Sequence, residues 1–250
     1  MKMIILAAGE GTRLRPLTEN MPKCMVKFKG KPIIEYILEV ACNSGITDVT
    51  IVDGYKSNVL QKHLKNKGVN FLTNEKYETT NMLSSLFCAK KIMNDDIIIS
   101  YADIIYKKEI LESLIASKDF FNVVIDKEWK KLWSLRMEDP LSDLETLKIK
   151  DNKIIELGKK TKSYDNIEGQ YIGLIKISKK VIDKVVKYYD NLNKSLIYDG
   201  KDFNNMYMTS FIQMIIDNLM DVNPIFTRGG WIEIDSIEDL NAYNKTEIEF

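Results

Sequence analysis

Cysteine and histidine are scarce in this sequence, and the scarcity removes several chemistries at once. The three cysteines, Cys24, Cys42 and Cys88, are odd in number and far apart. They exclude a disulfide framework and fit reduced thiols in a cytoplasm. The wide spacing of the cysteines and the lone histidine, His63, also argue against a zinc centre. His63 stands where Val59, Leu60 and Leu64 mark an amphipathic helix, so it reads as a half-buried helix residue rather than a catalytic base. Net charge is missing too, since 36 Lys and Arg balance 36 Asp and Glu over 250 residues. No global field draws in nucleic acid or an anionic membrane, and any phosphate site must be local. No apolar run reaches membrane-spanning length. The short apolar stretch after Met1-Lys2 ends in charge and does not read as a secretory leader. Repeats, low-complexity tracts and linkers are absent. The length allows one large α/β domain or two small ones with a substantial core.

The informative stretch is Met3 to Phe28. Met3-Ile4-Ile5-Leu6-Ala7-Ala8 is an unbroken apolar run, the pattern of a strand buried on both faces of a parallel sheet. Gly9 stops it. Gly9 and Gly11 let the backbone turn and approach a ligand, and consecutive free N–H groups in such a turn cradle an anion. Arg13 follows, and Lys23 comes after Pro16 and Pro22 have held the loop extended. The loop lacks the Gly-Lys-Ser/Thr of a Walker motif and the third glycine of a dinucleotide fingerprint. Two glycines, an arginine and a lysine after a strand suggest a polyphosphate site.

Further along, Pro32 opens a helix with Ile33, Ile37, Val40 and Ala41, ended by Gly45. Val49–Val52 reads as a strand, Val59–Leu64 as a helix stopped near Gly68, and Val69–Leu72 as a strand. The polar loop from Thr73 to Asn81 leads into a helix carrying Met82, Leu83, Leu86 and Phe87. Its side chains either cap that helix or read a base edge or phosphate. Ile97–Ala102 is a strand running into Asp103, Ile110–Ile115 a helix and Asn122–Ile125 a strand. This alternation predicts a parallel sheet with helices on both faces. From Asp126 the texture changes. Glu145–Ile149 and Ile154–Leu157 form a hairpin around Asp151-Asn152-Lys153. Tyr171–Ile177 is a strand, and Val181–Tyr189 and Phe211–Leu219 are helices. Ile225-Phe226 and Trp231–Ile234 make a second hairpin around Gly229-Gly230, before a short C-terminal helix.

Asp103 and Asp235 each end a β-like run, in ISYADIIY and WIEIDSIEDL. Ligands bind outside the carboxyl ends of strands in open α/β sheets, and two carboxylates completed by phosphate oxygens suit Mg²⁺. The ordinary alternatives stand beside this. Asp235 could be an N-cap boxed with Glu238, and Asp103 could cap a turn.

The string LAAGEGTRLRPLTENMPKCMV resembles the signature of nucleotidyltransferases that join a nucleoside triphosphate to a phosphorylated small molecule, and the likeness covers nearly the whole chain. It implies a Rossmann-like, doubly wound mixed sheet of the GT-A-like nucleotidyltransferase fold with a small antiparallel substrate-facing lobe. One domain, 1–250, would hold a nucleotide half at about 1–125, an acceptor lobe at about 126–234 and the C-terminal helix. Leu6, Ala7, Ala8, Gly9, Gly11 and Thr12, with Gly54, Tyr55, Thr80, Asn81 and Ser84, would bind nucleotide. Asp103 and Asp235 would hold Mg²⁺, and Arg13 and Lys23 would neutralise phosphate charge. In IIELGKK, Lys159 is the first choice for the acceptor phosphate and Lys160 the second, although the segment departs from the Glu-Lys-Pro form of the sugar enzymes.

ISYADIIY, KLWSLR, DPLSDLETLK, YIGL and NMYMTSF are similar to CTP:phosphoglutamine cytidylyltransferases of the capsular phosphoramidate pathway, and the short C-terminal part to cytidylyltransferases acting on phosphocholine or 2-aminoethylphosphonate. The implied partners are CTP and a small phosphorylated acceptor, in a cytoplasmic enzyme that decorates surface polysaccharide. Oligomeric state, homodimer included, is left open. For the acceptor, Trp129 or Trp133 could face a quaternary ammonium and Arg136 a carboxylate, with Tyr171 and Tyr207 beside them. The tryptophans could instead pack between lobes. A sugar-1-phosphate nucleotidyltransferase using dTTP, UTP or CTP, and a non-catalytic nucleotide-binding protein on the same fold, are the competing readings.

Overall fold

The computed structural model describes residues 1–246, so the last four residues of the expected 1–250 domain lie outside the described residues. Nineteen of its elements are labelled in chain order, beginning with strand β1 (Lys2–Ala7), helix α1 (Ile33–Asn43), β2 (Asp48–Asp53), α2 (Ser57–Leu64), β3 (Asn70–Thr73) and α3 (Met82–Cys88). Next come β4 (Ile97–Tyr101), β5 (Ile104–Tyr106), α4 (Lys108–Ala116), β6 (Phe121–Asp126), α5 (Trp129–Arg136), β7 (Glu145–Lys150) and β8 (Lys153–Lys160). The chain continues through β9 (Gln170–Ile177), α6 (Lys179–Asp190), α7 (Met208–Asn218), β10 (Asn223–Thr227), β11 (Trp231–Glu233) and α8 (Ile237–Asn244).

A seven-stranded sheet in the order β10-β6-β9-β4-β1-β2-β3 forms the centre. β1 lies parallel to both neighbours, with Leu6 opposite Val52 on β2 and Tyr101 on β4. Its side chains alternate between two cores. Met3, Ile5 and Ala7 face the helices α1, α2 and α4, while Ile4 and Leu6 face α3, α6 and α7. A strand buried on both faces has no polar side to spend, which is why its sequence is a solid apolar run. β9 runs antiparallel to β4 and β6, making the sheet mixed and placing a strand of the second half between two of the first.

The β7–β8 hairpin forms as expected, with a tighter turn. Asp151 and Asn152 alone hold positive φ, at 51° and 58°, and Lys153 already belongs to β8. Two consecutive left-handed residues match the twist of the flanking strands.

The hairpin expected between Ile225-Phe226 and Trp231–Ile234 does not form. β10 pairs in parallel with β6 at the sheet edge, and β11 pairs antiparallel with β5. Pro224 has no N–H to donate to a ladder, which suits an edge strand. The side chain of Asp126 then takes the intervening turn, accepting from Gly229 N and from the buried Trp231 Nε1, both at 2.9 Å. The glycines therefore send the chain out of the main sheet instead of folding it back. This matters for the site, because the β5–β11 ladder sets the segment after Glu233 beside Asp103, whose carbonyl accepts from Ile234 N at 2.9 Å.

Candidate active site

The loop after β1 is shaped by close packing. Gly11 has φ 63°, and a Cβ there would lie 2.7 Å from Cβ of Lys23. Glycine thus lets Lys23 pass beneath the loop. Thr18 Oγ1 donates to the Gly11 carbonyl at 2.8 Å, and Tyr55 Oη donates to the carbonyls of Thr18 and Glu19, each at 3.0 Å. Gly54 is pressed against Tyr77 and the Ala8 carbonyl, where a Cβ would meet both under 3 Å. Gly54 and Tyr55 support the loop from behind.

Lys23 joins the two aspartates. Its ammonium donates to Asp103 Oδ2 at 2.6 Å and to Asp235 Oδ1, and Arg13 donates to Asp235 Oδ2. Burial opposes the charge on Lys23, but Asp103 and Asp235 more than offset it and raise its pKa. Burial also works against the Asp235 carboxylate, yet Lys23 and then Arg13 hold it below the usual range. The capping role considered for Asp235 belongs to its neighbours. Ser236 caps α8 and forms a box with Asp239, not Glu238. Asp235 is thereby left to face the cleft.

That cleft, about 380 Å³, is lined by Leu6, Ala7, Gly9, Gly11, Thr12, Arg13, Lys23, Tyr101, Asp103, Glu233 and Asp235 among others. A smaller chamber of about 120 Å³ continues from it between Ala8, Gly9, Tyr77, Thr80, Asn81 and Ser85. A third, of about 250 Å³, shares Met82, Tyr101, Glu233 and Asp235 with the cleft and extends to Trp133, Asp143, Glu145, Tyr171 and Tyr207. The three form one trough across the carboxyl ends of β1 and β4.

Other predicted residues fall elsewhere. Asn81 stays in the wall of the smaller chamber and caps α3 there, accepting from Met82 N at 2.7 Å, whereas Ser84 Oγ donates to the Asn204 carbonyl at 2.8 Å and lines none of the chambers. Trp129 packs on Tyr164, centroids 6.0 Å apart, and lines only a separate surface depression. Arg136 is no open carboxylate receptor. Its side chain is 1% exposed, donating to Asp239 Oδ1 at 2.9 Å and Glu233 Oε2 at 2.7 Å. Those carboxylates raise its pKa despite burial, which opposes the charge. Lys159 donates to Glu156 Oε2 at 3.3 Å, and both it and Lys160 are exposed and line none of the chambers. His63 pairs with Glu35 at 2.8 Å on the surface.

Among the described residues no group of three or more His, Cys, Asp or Glu side chains could hold a metal ion. Two aspartates completed by ligand oxygens remain a fit for Mg²⁺, which keeps few protein ligands. Asp103 Oδ1 is buried without a hydrogen-bond partner, an acceptor that a hard cation would satisfy.

Residues 2–130 match the model of the nucleotidyl transferase family. The chain is 46% identical over 249 residues to the CTP:phosphoglutamine cytidylyltransferase of Campylobacter jejuni, covering 97% of this chain and 98% of that one. The chain belongs to the nucleotidyl transferase family. Within that family it is also 31% identical over 252 residues to the choline-phosphate cytidylyltransferase of Streptococcus pneumoniae, covering 99% and 97% of the two chains. The solved CTP:phosphocholine cytidylyltransferase from the same organism superposes with a TM-score of 0.71 at 26% identity, over 98% of this chain and 97% of that one. The inositol-1-phosphate CTP transferase from T. maritima, at 20% identity and a TM-score of 0.75 over 100% and 98% of the two chains, shares the fold.

Sequence reasoning missed Tyr101, Asp143, Glu145 and Glu233. Two carried a signal: Tyr101 and Glu233 stand two residues before Asp103 and Asp235, hence on the same side of an extended run. Asp143 and Glu145 carried none.

Proposed function

We propose that this nucleotidyl transferase is a magnesium-dependent cytidylyltransferase that transfers CMP from CTP to the phosphate of a small metabolite and releases pyrophosphate. Phosphoglutamine is the favoured acceptor, phosphocholine and 2-aminoethylphosphonate are alternatives, and the product would serve surface polysaccharide decoration. The observation that carries the reading is the meeting of Arg13, Lys23, Asp103 and Asp235 at one point beneath the glycine loop. Whole-length likeness to two cytidylyltransferases supports the choice of CTP.

In the reaction, an oxygen of the acceptor phosphate attacks the α-phosphorus of CTP. A new P–O bond forms, the bond to the α,β-bridging oxygen breaks, and pyrophosphate leaves with the electron pair. The nucleophile is already a phosphate anion, so no protein base is needed, and catalysis rests on alignment and charge neutralisation. Asp103 and Asp235 would hold Mg²⁺, which supplies charge stabilisation on the phosphate oxygens when bound. Arg13 and Lys23, exchanging carboxylate partners for phosphate oxygens, bind the triphosphate from the loop side. The β5–β11 ladder keeps the two aspartates aligned.

The test is pyrophosphate release from CTP and Mg²⁺ with phosphoglutamine, phosphocholine, 2-aminoethylphosphonate or glucose 1-phosphate. Release with phosphoglutamine is expected. Silence with every acceptor overturns the reading, and turnover of glucose 1-phosphate alone transfers it to a sugar enzyme.

A further inference from the structure

The smaller chamber takes its polarity from a residue behind its wall. Asn74 follows β3 and is buried, its backbone N–H donating to the Asp53 carbonyl at the end of β2, 2.8 Å away. Its side chain is fully engaged. Oδ1 accepts from Lys76 N at 3.0 Å, and because a backbone N–H can only donate, this contact fixes which end of the amide is oxygen. Nδ2 therefore gives both of its hydrogens to hydroxyls, Thr80 Oγ1 and Ser85 Oγ, each at 2.9 Å. Asn74 itself lines none of the three chambers.

The two hydroxyls are left in different states. Thr80 Oγ1 passes its own proton back to the Lys76 carbonyl at 2.9 Å, so its donor is spent. Ser85 Oγ accepts from Asn74, and among the described residues no acceptor takes its proton. Ser85 is buried on α3 and borders the smaller chamber. A buried hydroxyl proton without an acceptor is costly, and a ligand atom with a lone pair satisfies it. Donation thus runs one way, from Asn74 to Ser85 to the chamber. A residue 74 that accepted from Ser85 would present the chamber with a lone pair instead.

We infer that Asn74 is a positioning residue for base selection, holding Ser85 as a hydrogen-bond donor toward ring N3 of a pyrimidine. The inference rests on the transferase reading, with the base of the nucleotide in the smaller chamber and its phosphates at Arg13 and Lys23. Cytosine carries a lone pair at N3, whereas uracil and thymine carry an N–H there. Against a fixed donor, cytosine gains a hydrogen bond, while uracil sets two protons face to face. The base is then chosen by an amide that never touches it.

The experiment measures kcat/KM by pyrophosphate release for CTP, UTP and 3-deaza-CTP, in which C–H replaces N3, with the acceptor that wild type turns over held at saturation. Wild type is expected to favour CTP over each of the others by at least about tenfold. Asn74→Asp keeps the Lys76 contact and, kept ionised by the three donors around it, turns Ser85 into an acceptor toward the chamber. It should shrink the CTP-to-UTP ratio by about tenfold. Ser85→Ala should abolish the difference between CTP and 3-deaza-CTP, and it carries the test should Asn74→Asp not fold. A merely structural role would lower all three nucleotides together, and ratios left unmoved overturn the inference. Equal use of CTP and 3-deaza-CTP by wild type also overturns it while leaving the transferase reading intact. Silence with every nucleotide and acceptor sinks both.

Discussion

The two ends of the trough are built on opposite plans. At the end proposed for the nucleotide, cations sit on one short loop: Arg13 and Lys23 are ten residues apart, and each meets a carboxylate brought from more than 200 residues away at Asp235. At the end proposed for the acceptor, acids arrive from β7, β11 and the loops around them, and among the described residues Glu145 meets no cation. The nucleotide end is therefore electrostatically balanced before any ligand binds, whereas the acceptor end carries uncompensated charge. A balanced site can exchange partners at little cost when triphosphate replaces carboxylate. An unbalanced one uses binding to relieve a strain the fold already bears. On the proposed reading, that difference would separate the polyanion site from the acceptor site.

The largest effect expected is at the balanced end. Asp103→Asn and Asp235→Asn should each lower turnover about 10²–10³-fold while circular dichroism stays native. Near-normal rates in both would remove them as metal ligands and dissolve the contrast. Next is the support between the ends. Arg136 links α5 to Glu233 on β11 and to Asp239, which also accepts from Asp235 N and Ser236 N, both at 2.9 Å. Arg136→Ala leaves the buried Asp239 and the half-buried Glu233 without their cation and should cost about 3–5 kcal/mol in denaturant unfolding. A loss below about 1 kcal/mol would mean that α8 and the Asp235 turn stand without it.

The same contrast explains what could be read from the sequence. The glycine loop was legible because its parts are consecutive, and Asp103 because it follows the largely apolar strand Ile97–Tyr101. The alternating strands and helices of the first half were legible for the same local reason. Arg136 misled, since its partners Glu233 and Asp239 lie 97 and 103 residues away and an arginine on a short polar helix looks exposed. Gly229-Gly230 misled in the same manner, because the side chain that redirects them, Asp126, is 103 residues upstream. Lys159 is exposed and meets Glu156 at 3.3 Å, next to Gly158, which holds φ 84° against Thr209. What was lost for Arg136 and for the two glycines was a distant pairing that no local pattern encodes.

The smallest effect tests the imbalance itself, without any substrate. Burial first, then Asp143, Glu233 and Asp199, push the Glu145 carboxyl from 4.5 up to about 7. A carboxyl whose pKa is raised by folding binds its proton more tightly in the native state, so its contribution favours the fold at low pH. That contribution fades between about 4.5 and 7 and is gone above. Glu145→Gln cannot ionise and is exempt from the loss. Its stability relative to wild type should therefore rise between about pH 5 and pH 8, by about 2 kcal/mol, read from denaturant midpoints at each pH. Parallel profiles would mean that the Glu145 charge already has a partner, and the acceptor end would then be as balanced as the nucleotide end.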